Sequence, residues 1–211
     1  NISENFVVAV SGGPDSLALA FLAKIYSIKK KLISKFFIVD HKLRSSSTKE
    51  AIKVKQLLKH YSIRAEILTW KGKKPHKNIQ SSARNKRYEL LFKKCEEFKI
   101  NNILLGHHQN DLLENFFIRL LRGSGLKGLV SLDKRSKVGN KNLLRPLLNQ
   151  NKEDLEYISK KVFNFYVNDP TNKDDKYLRI RIRKIISDFR KNGLDKKKLD
   201  KTIKNLKDSN F

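Results

Sequence analysis

The most informative residues of this sequence lie between Ser11 and Ser16, where an apolar run gives way abruptly to glycine and polar side chains. Phe6–Val10 predicts a buried strand, and Leu17 begins a helical apolar period. A strand that turns through glycines into a helix N-terminus presents N–H groups and the positive end of the helix dipole, which suit phosphate. A carboxylate within that turn predicts Mg²⁺ bridging protein and phosphates. The predicted nucleotide-binding residues here are Ser11, Gly12, Gly13, Pro14, Asp15 and Ser16.

This turn differs from two common phosphate-binding loops. The Walker A spacing G-x-x-x-x-G-K-[ST] is absent, and so is the dinucleotide-binding pattern G-x-G-x-x-G. The plainer interpretation is an ordinary strand-to-helix turn in which Asp15 or Ser16 caps the helix. The string S-G-G alone leaves both interpretations open.

A second group with chemical potential follows a predicted strand that ends at Gly106. His107 and His108 end the strand, and Asp111 and Glu114 lie three residues apart on one face of the next helix. Clustered carboxylates suit a cationic substrate amine or Mg²⁺. Zinc fits less well because the spacing is not H-E-x-x-H. The alternative is a helix cap beside surface histidines.

Two further polar groups flank predicted elements. Asp40 and His41 stand where the second strand ends, which suits the base or ribose of a nucleotide, or simple capping of the next turn. Arg84 and Arg87 share one helix face beside Tyr88 and offer bidentate forks for phosphate, or else form a solvated basic surface.

Basic residues recur further along the chain. Arg119 and Arg122 precede the glycine-rich turn 123–128, which predicts contact with an RNA backbone. The tail contains Asp169–Asn172 and then arginines that alternate with isoleucines between 179 and 183, which we interpret as the start of a helix.

The elements that must position these residues alternate between strand and helix. This order predicts an α/β fold with a doubly wound parallel sheet, in which ligands bind beyond the carboxyl ends of the strands. A polar loop, expected to be mobile, is predicted at 134–141. The predicted strands are 6–10, 35–40, 64–70 and 102–106, and the predicted helices are 17–28, 48–60, 79–98, 111–122, 152–162, 177–190 and 194–206.

The same pattern suggests three parts. Residues 1–130 form the nucleotide-binding α/β domain, and 131–190 form a basic, mostly helical completion of it. Residues 191–211 are predicted to be a small helical linker towards a further domain, since the helix after Gly193 is lysine-rich and amphipathic.

Composition favours a polyanionic partner. Lys+Arg number 47 against 21 Asp+Glu, which gives a formal charge of +26 and a pI near 10.1. Lysine supplies most of this charge, so the arginine positions are more informative.

The single cysteine excludes a disulfide framework, and without a signal peptide or long apolar run we expect a cytoplasmic protein that does not span a membrane. The chain contains no methionine and is expected to be a piece of something longer.

Read in order, several blocks together resemble the N-terminal PP-loop ATP pyrophosphatase domain of the tRNA(Ile)-lysidine synthetases. The blocks are SGGPDSLAL, VDHKLR, SSARNKRY, GHHQNDLLEN, LLRGSGLKGL, LRPLL and DPTN with YLRIRIR. The resemblance implies an adenine nucleotide alpha hydrolase-like fold. It also implies a ligase that uses ATP and Mg²⁺ to adenylate the wobble cytidine of a CAU-anticodon tRNA(Ile). Free L-lysine then displaces AMP. The resemblance allows a homodimer.

The resemblance also assigns roles to individual residues. Asp40, His41 and Gly106 would join the cradle in binding ATP, with Asp15 also holding Mg²⁺. Asp111 and Glu114 would bind the substrate ammonium, and an arginine of the tail its carboxylate, Arg179 or Arg181 being preferred. The implied catalytic residues are Asp15, His107 and Arg84, and the implied tRNA-binding residues are Arg87, Arg122, Arg145 and Arg183.

The sequence departs from the family pattern at two positions. Asn110 replaces the usual first Asp after G-H-H-x, which weakens any metal-ligand role there, and Asn115 stands where Thr is common. Among competing functions, a tRNA thiolase needs paired cysteines, whereas this sequence has one. An amidotransferase acting on small molecules would not require a net charge of +26. A non-catalytic RNA-binding module conflicts with the intact Asp15, Asp111 and Glu114.

Overall fold

The computed structural model describes residues 2–73, 75, 77–167 and 174–209. The sequence block Asp169–Asn172 lies outside these residues. No helix within the described ranges is both long enough and apolar enough to cross a membrane.

A six-stranded sheet forms the centre of the molecule. Its order is β3-β2-β1-β4-β6-β5, and every neighbouring pair is parallel except β5 with β6. The order reverses between β1 and β4, which opens a crevice at the carboxyl ends of these strands. The strands are β1 Phe6–Val10, β2 Ser34–Asp40, β3 Ala65–Thr69, β4 Asn102–Leu104, β5 Arg135–Val138 and β6 Lys141–Leu144.

Helices cover both faces of the sheet, as predicted for a doubly wound fold. Side chains from α1, α2 and α6 form one apolar layer with the sheet, and α3 forms a second layer on the opposite face. The helices are α1 Pro14–Lys30, α2 Ser47–His60, α3 Ile79–Glu97, α4 Gln109–Leu121, α5 Leu126–Leu129, α6 Lys152–Phe163, α7 Leu178–Lys191 and α8 Lys196–Asp208.

A third apolar cluster lies away from the sheet and joins α4, α5, α7 and α8. Phe116 of α4, Ile182 of α7 and Ile203 of α8 are among its buried residues, and Ile203 is only 1% exposed. The arginine-rich tail is therefore helical, as expected, because its isoleucines pack against α4. The lysine-rich last helix also packs onto this cluster, and its role as a linker towards a further domain stays a prediction.

The prediction of a mobile loop at 134–141 is wrong. This segment forms β5 and the start of β6, with a turn at Gly139, where φ is +57°. β5 lies at the edge of the sheet, so its largely exposed polar side chains carry no apolar alternation that would indicate a strand. Because β6 pairs with β4, the same sheet continues past residue 130, while the proposed division into parts stays a prediction.

Candidate active site

The hydroxyl of Ser16 shapes the phosphate cradle at the first turn of α1. Its Oγ accepts the backbone N–H of Ser11 and that of Gly12, each at 3.1 Å, and donates to the carbonyl of Gly13 at 2.9 Å. Pro14 occupies the first helical position, where its missing N–H costs no helical hydrogen bond. The remaining N–H groups of this first turn have no acceptor in the helix, as an anion site requires.

Two glycines permit the close packing around this cradle. Gly12 has φ +85°, and a Cβ there would lie 2.7 Å from Val54 and 2.9 Å from Val167. A Cβ at Gly106 would lie 3.2 Å from the backbone of Asp15, because the end of β4 passes directly against the start of α1. The cradle therefore depends on backbone approach that side chains would block.

A cleft of about 310 Å³ opens over the carboxyl ends of β1, β2 and β4. It lies beside the reversal of strand order, the usual ligand position in such sheets. The structure thus brings most of the predicted nucleotide-binding residues together with two residues predicted for other roles, Arg87 and His107. The predicted nucleotide-binding residues in the lining are Ser11, Asp15, Ser16, Asp40, His41 and Gly106.

The carboxylate of Asp40 stabilises the wall of this cleft by accepting hydrogen bonds from nearby residues of the protein. Its carboxylate accepts the backbone N–H of Lys42 at 2.9 Å and the hydroxyls of Ser47 and Thr48 at 2.8 and 2.7 Å. Burial alone would raise the pKa of Asp40, but these hydrogen bonds outweigh it and lower the pKa. Asp40 therefore ties β2 to the start of α2, and the His41 ring beside it meets Trp70 edge-on.

His108 lies between the cradle and the predicted acidic pair. Its Nδ1 accepts the N–H of Asn110 at 3.2 Å, so the proton of the neutral ring is on Nε2. That Nε2 lies 3.6 Å from Asp15 Oδ2 and 3.5 Å from Asp111 Oδ2. Asp111 in turn accepts the N–H of His108 at 3.0 Å, which completes a capping box at the start of α4. One imidazole thus joins the two predicted sites.

Burial and neighbouring charge act in opposite directions on the two aspartates. Burial raises the pKa of Asp15, with His108 opposing this rise and Asp111 adding to it. Burial would also raise the pKa of Asp111, but the Arg179 guanidinium and the two histidines lower it overall. These charges therefore favour the carboxylate form of Asp111, whereas burial disfavours the charged form of Asp15, a cost that a bound cation would offset.

Arginines from α7 already neutralise the acidic pair. Arg179 donates through Nε to Glu114 and through Nη2 to Asp111, the latter at 2.7 Å. Arg183 donates to the other oxygen of Glu114 at 2.6 Å. Glu114 is only 2% exposed, and the two guanidinium groups offset the cost of burying its charge.

His107 lies in the cleft as a neutral group. Burial lowers its pKa to about 4, with the charges of Arg145, Arg179 and Arg84 acting in the same direction and Asp111 opposing them. At neutral pH the ring therefore offers a hydrogen bond without adding positive charge. Arg84, the other residue predicted to act in catalysis, is exposed, with its guanidinium 5.2 Å from the centre of the Tyr88 ring.

The structure separates other predicted residues from their expected surroundings. Arg181 donates to the carbonyls of Asp175 and Lys176 and contacts neither acid. Arg145, expected at an RNA-binding surface, is 4% exposed and donates instead to Asp133 O and Ser136 Oγ beside β5. In the structure Arg181 ties its helix to the turn that precedes it, and Arg145 stabilises the edge of the sheet, while the binding roles predicted for both stay predictions.

Two more arginines illustrate the same point. Arg183 was expected to contact RNA, yet its guanidinium binds Glu114 within the acidic pair. Arg122 is exposed at the far end of α4, about 20 Å along the helix from the cleft. Of these two, Arg122 is the one placed for a partner outside the cleft.

No specific role for His108 follows from the sequence, which points to His107 instead. In the structure His108 is 3% exposed and contacts the carboxylates of Asp15 and Asp111. A histidine three residues before an aspartate at a helix start is the available signal, because it fits a capping box. The pairing of Arg183 with Glu114 has no comparable signal, since 69 residues separate the two.

Asp15 fits the predicted Mg²⁺ ligand. Its Oδ1 is buried and has no hydrogen-bond partner among the described residues. The same part of the chain contains no cluster of three or more metal-ligating side chains. One carboxylate beside a phosphate cradle suits Mg²⁺, which usually takes its other ligands from phosphates and water.

Comparisons with known proteins give a matching family model and several similar relatives. The model of a family described as the PP-loop domain matches residues 2–189. The tRNA(Ile)-lysidine synthase of Orientia tsutsugamushi is 42% identical over 179 residues, which are 85% of this chain and 40% of that protein. The enzyme of the same name from a Bradyrhizobium species is 35% identical over 91% of this chain and 54% of its own length. The chain thus spans about half the length of these relatives.

Among solved structures, a U34-tRNA thiolase from Methanococcus maripaludis, NcsA with its [4Fe-4S] cluster, superposes with a TM-score of 0.80. The match covers 96% of this chain and 71% of that one at 17% identity. At this identity the likeness establishes the fold and nothing more.

Proposed function

This chain belongs to the PP-loop domain family, and we propose that it ligates L-lysine to the wobble cytidine of a CAU-anticodon tRNA(Ile) at the expense of ATP. Family membership supports the use of ATP, and the named relatives support the tRNA substrate. The observation that carries the proposal is His108, which connects the phosphate cradle to a buried acidic pair suited to an ammonium group.

The proposed reaction has two steps. The cytidine O2 attacks the α-phosphorus of ATP and pyrophosphate leaves. The ε-amine of lysine then forms a bond to C2 of the base, and the C2–O bond to AMP breaks. The net change is the addition of lysine and the loss of water.

The cradle serves the first step. Fixed N–H groups at the start of α1 face the leaving pyrophosphate and stabilise its charge without reorganisation. Asp15 would hold Mg²⁺, which neutralises phosphate charge when bound. Arg87 at the cleft wall adds a fixed positive charge towards the nucleotide. His107, neutral at physiological pH, orients a substrate oxygen by hydrogen bonding.

The acidic pair serves the second step. Before lysine binds, Arg179 and Arg183 balance the charges of Asp111 and Glu114, so neither carboxylate is buried unpaired. The substrate ammonium replaces a guanidinium at one carboxylate. Arg179, once released, is placed to bind the carboxylate of the same lysine molecule.

The thiolase alternative is not favoured. Cys95 is fully buried, and burial raises the pKa of its thiol to about 11, which keeps it protonated and unreactive. Since it is the single cysteine of the sequence, sulfur transfer through a cysteine pair has no basis in this chain.

The proposal is tested by following AMP, pyrophosphate and radiolabelled lysine with a CAU-anticodon tRNA(Ile) transcript. Asp15→Asn is expected to abolish pyrophosphate release, whereas Glu114→Gln is expected to retain pyrophosphate release and to lose most lysine transfer together with AMP release. Glu97→Gln, on an exposed side chain, is the matched control and should behave as wild type. AMP release with no lysine transfer by the wild type would reject the proposed substrate.

A further inference from the structure

The last helix presents a row of lysines on its outer face. Lys197, Lys198, Lys201 and Lys204 are all exposed, and no carboxylate side chain among the described residues forms an ion pair with them. Three of them follow the spacing i, i+4, i+7, which places them along one side of α8. Like charges at such spacing destabilise a helix, so this row carries a local cost.

The inner face of α8 is fixed to the rest of the molecule. Leu199, Ile203 and Leu206 pack into the cluster formed with α4 and α7. Lys207 donates to the carbonyl of Leu132 at 3.1 Å and to the carboxylate of Asp133 at 3.0 Å. The apolar side is therefore buried within the protein, and the outer lysines have a defined orientation.

The same helix lies next to the candidate active site. Gln109, the first residue of α4, donates to the Asp200 carboxylate, and it directly follows His108. Lys197 lines an open polar cavity together with Gln109 and Asn151. The lysine row thus begins at the α4 end that carries the acidic pair.

We propose that the outer face of α8 is a binding surface for the phosphate backbone of the RNA substrate, placed by the Asp200 and Lys207 contacts beside the active site. The charge of the surface selects a polyanion, and a fixed helix about 20 Å long can follow several phosphates. The choice of RNA as that polyanion rests on the proposed function. An anionic membrane fits less well, because the apolar face that would insert is buried.

The test measures binding alone, without ATP or lysine. The wild-type chain and a variant with Lys197, Lys198, Lys201 and Lys204 changed to Gln are titrated with a tRNA(Ile) transcript at several salt concentrations. Glutamine keeps the helix propensity of lysine. We expect binding about tenfold weaker or more near 0.1 M salt, and a salt dependence whose slope falls by about one for each lysine that contacts a phosphate.

Two matched variants decide the interpretation. Changing the four lysines to arginine keeps the charge and should preserve binding. Changing Lys29, Lys30, Lys55 and Lys59 to Gln removes four exposed charges from α1 and α2 and should have little effect. The proposal would be overturned if both Gln variants lost RNA affinity equally. It would also be overturned if the α8 Gln variant bound RNA normally and lost only its binding to anionic vesicles. Loss confined to the α8 Gln variant supports it, even from a chain that transfers no lysine.

Discussion

At the scale of single residues, Gly12 is the position where the cradle is most restricted. We expect Gly12→Ala to destabilise the fold by roughly 1–3 kcal/mol, because the backbone has φ +85° and the new methyl group would meet Val54 and Val167. Urea unfolding in the absence of ATP measures this loss.

Substitutions at two other glycines separate backbone strain from the steric clash of the new methyl group. Gly13→Ala should be tolerated, since Gly13 has φ −70° and a Cβ there would come no closer than 3.8 Å, to Ser11 Oγ. Gly123→Ala has a positive φ of 64° with open space around it, so it should show the backbone cost alone. A Gly12 variant as stable as the Gly13 variant would contradict the packing described here.

His107 makes stability depend on pH in a predictable direction. The unfolded chain binds a proton at this ring near pH 6.5, and the folded chain does so only near pH 4. The contribution of the neutral ring is therefore complete above about pH 6.5 and is lost as the pH falls towards 4. Between pH 7 and 5 we expect roughly 1–2 kcal/mol of stability to be lost through this residue.

The measurement compares urea unfolding of the wild type and of His107→Asn at pH 7 and pH 5. The variant should lose less stability over this interval, because its amide does not titrate. An identical loss in both proteins would show that the ring is not held in its neutral form by the fold.

At the scale of secondary-structure elements, the start of α4 depends on α8. The Asp200 carboxylate accepts from Gln109, next to the capping box of His108 and Asp111. We expect Asp200→Ala to speed hydrogen exchange across 108–113, while Asp200→Asn keeps an acceptor oxygen and stays closer to wild type. Mass spectrometry of the corresponding peptides checks this.

The matched control for this element is Asp208→Asn, at the exposed end of the same helix. It should leave exchange at the start of α4 unchanged. If Asp200→Ala also leaves exchange there unchanged, α8 does not hold the site, and the loss of α8 would affect only the apolar cluster.

At the scale of the whole molecule, the sequence predicts what depends on local pattern. The strand, glycine turn and helix at Phe6–Lys30 can be predicted, because an apolar run, turn residues and a helix start follow one another in the sequence. The parallel sheet follows from alternating elements. The edge strand Arg135–Val138 could not be predicted, because an exposed polar strand has no alternation of apolar and polar side chains. It is stabilised instead by pairing with the neighbouring strand Lys141–Leu144.

Contacts between distant parts of the chain account for the rest. Arg145 lies in an apolar stretch of the sequence, and only the fold shows that Asp133 O and Ser136 Oγ accept its hydrogen bonds. Similarly, the pairing of Arg183 with Glu114 arises from the docking of α7 on α4. Residue type indicated charge recognition in both cases, but the partner was set by tertiary packing.

The proposed ligation of lysine is tested most directly by the mass of the nucleoside at the wobble position. A CAU-anticodon tRNA(Ile) transcript is incubated with the chain, ATP, Mg²⁺ and L-lysine, then digested and analysed by mass spectrometry. Lysine ligation predicts a cytidine heavier by one lysine minus water, formed only when ATP and lysine are both present and absent with Asp15→Asn. Unmodified cytidine, or a product formed without lysine while AMP is still released, would contradict it.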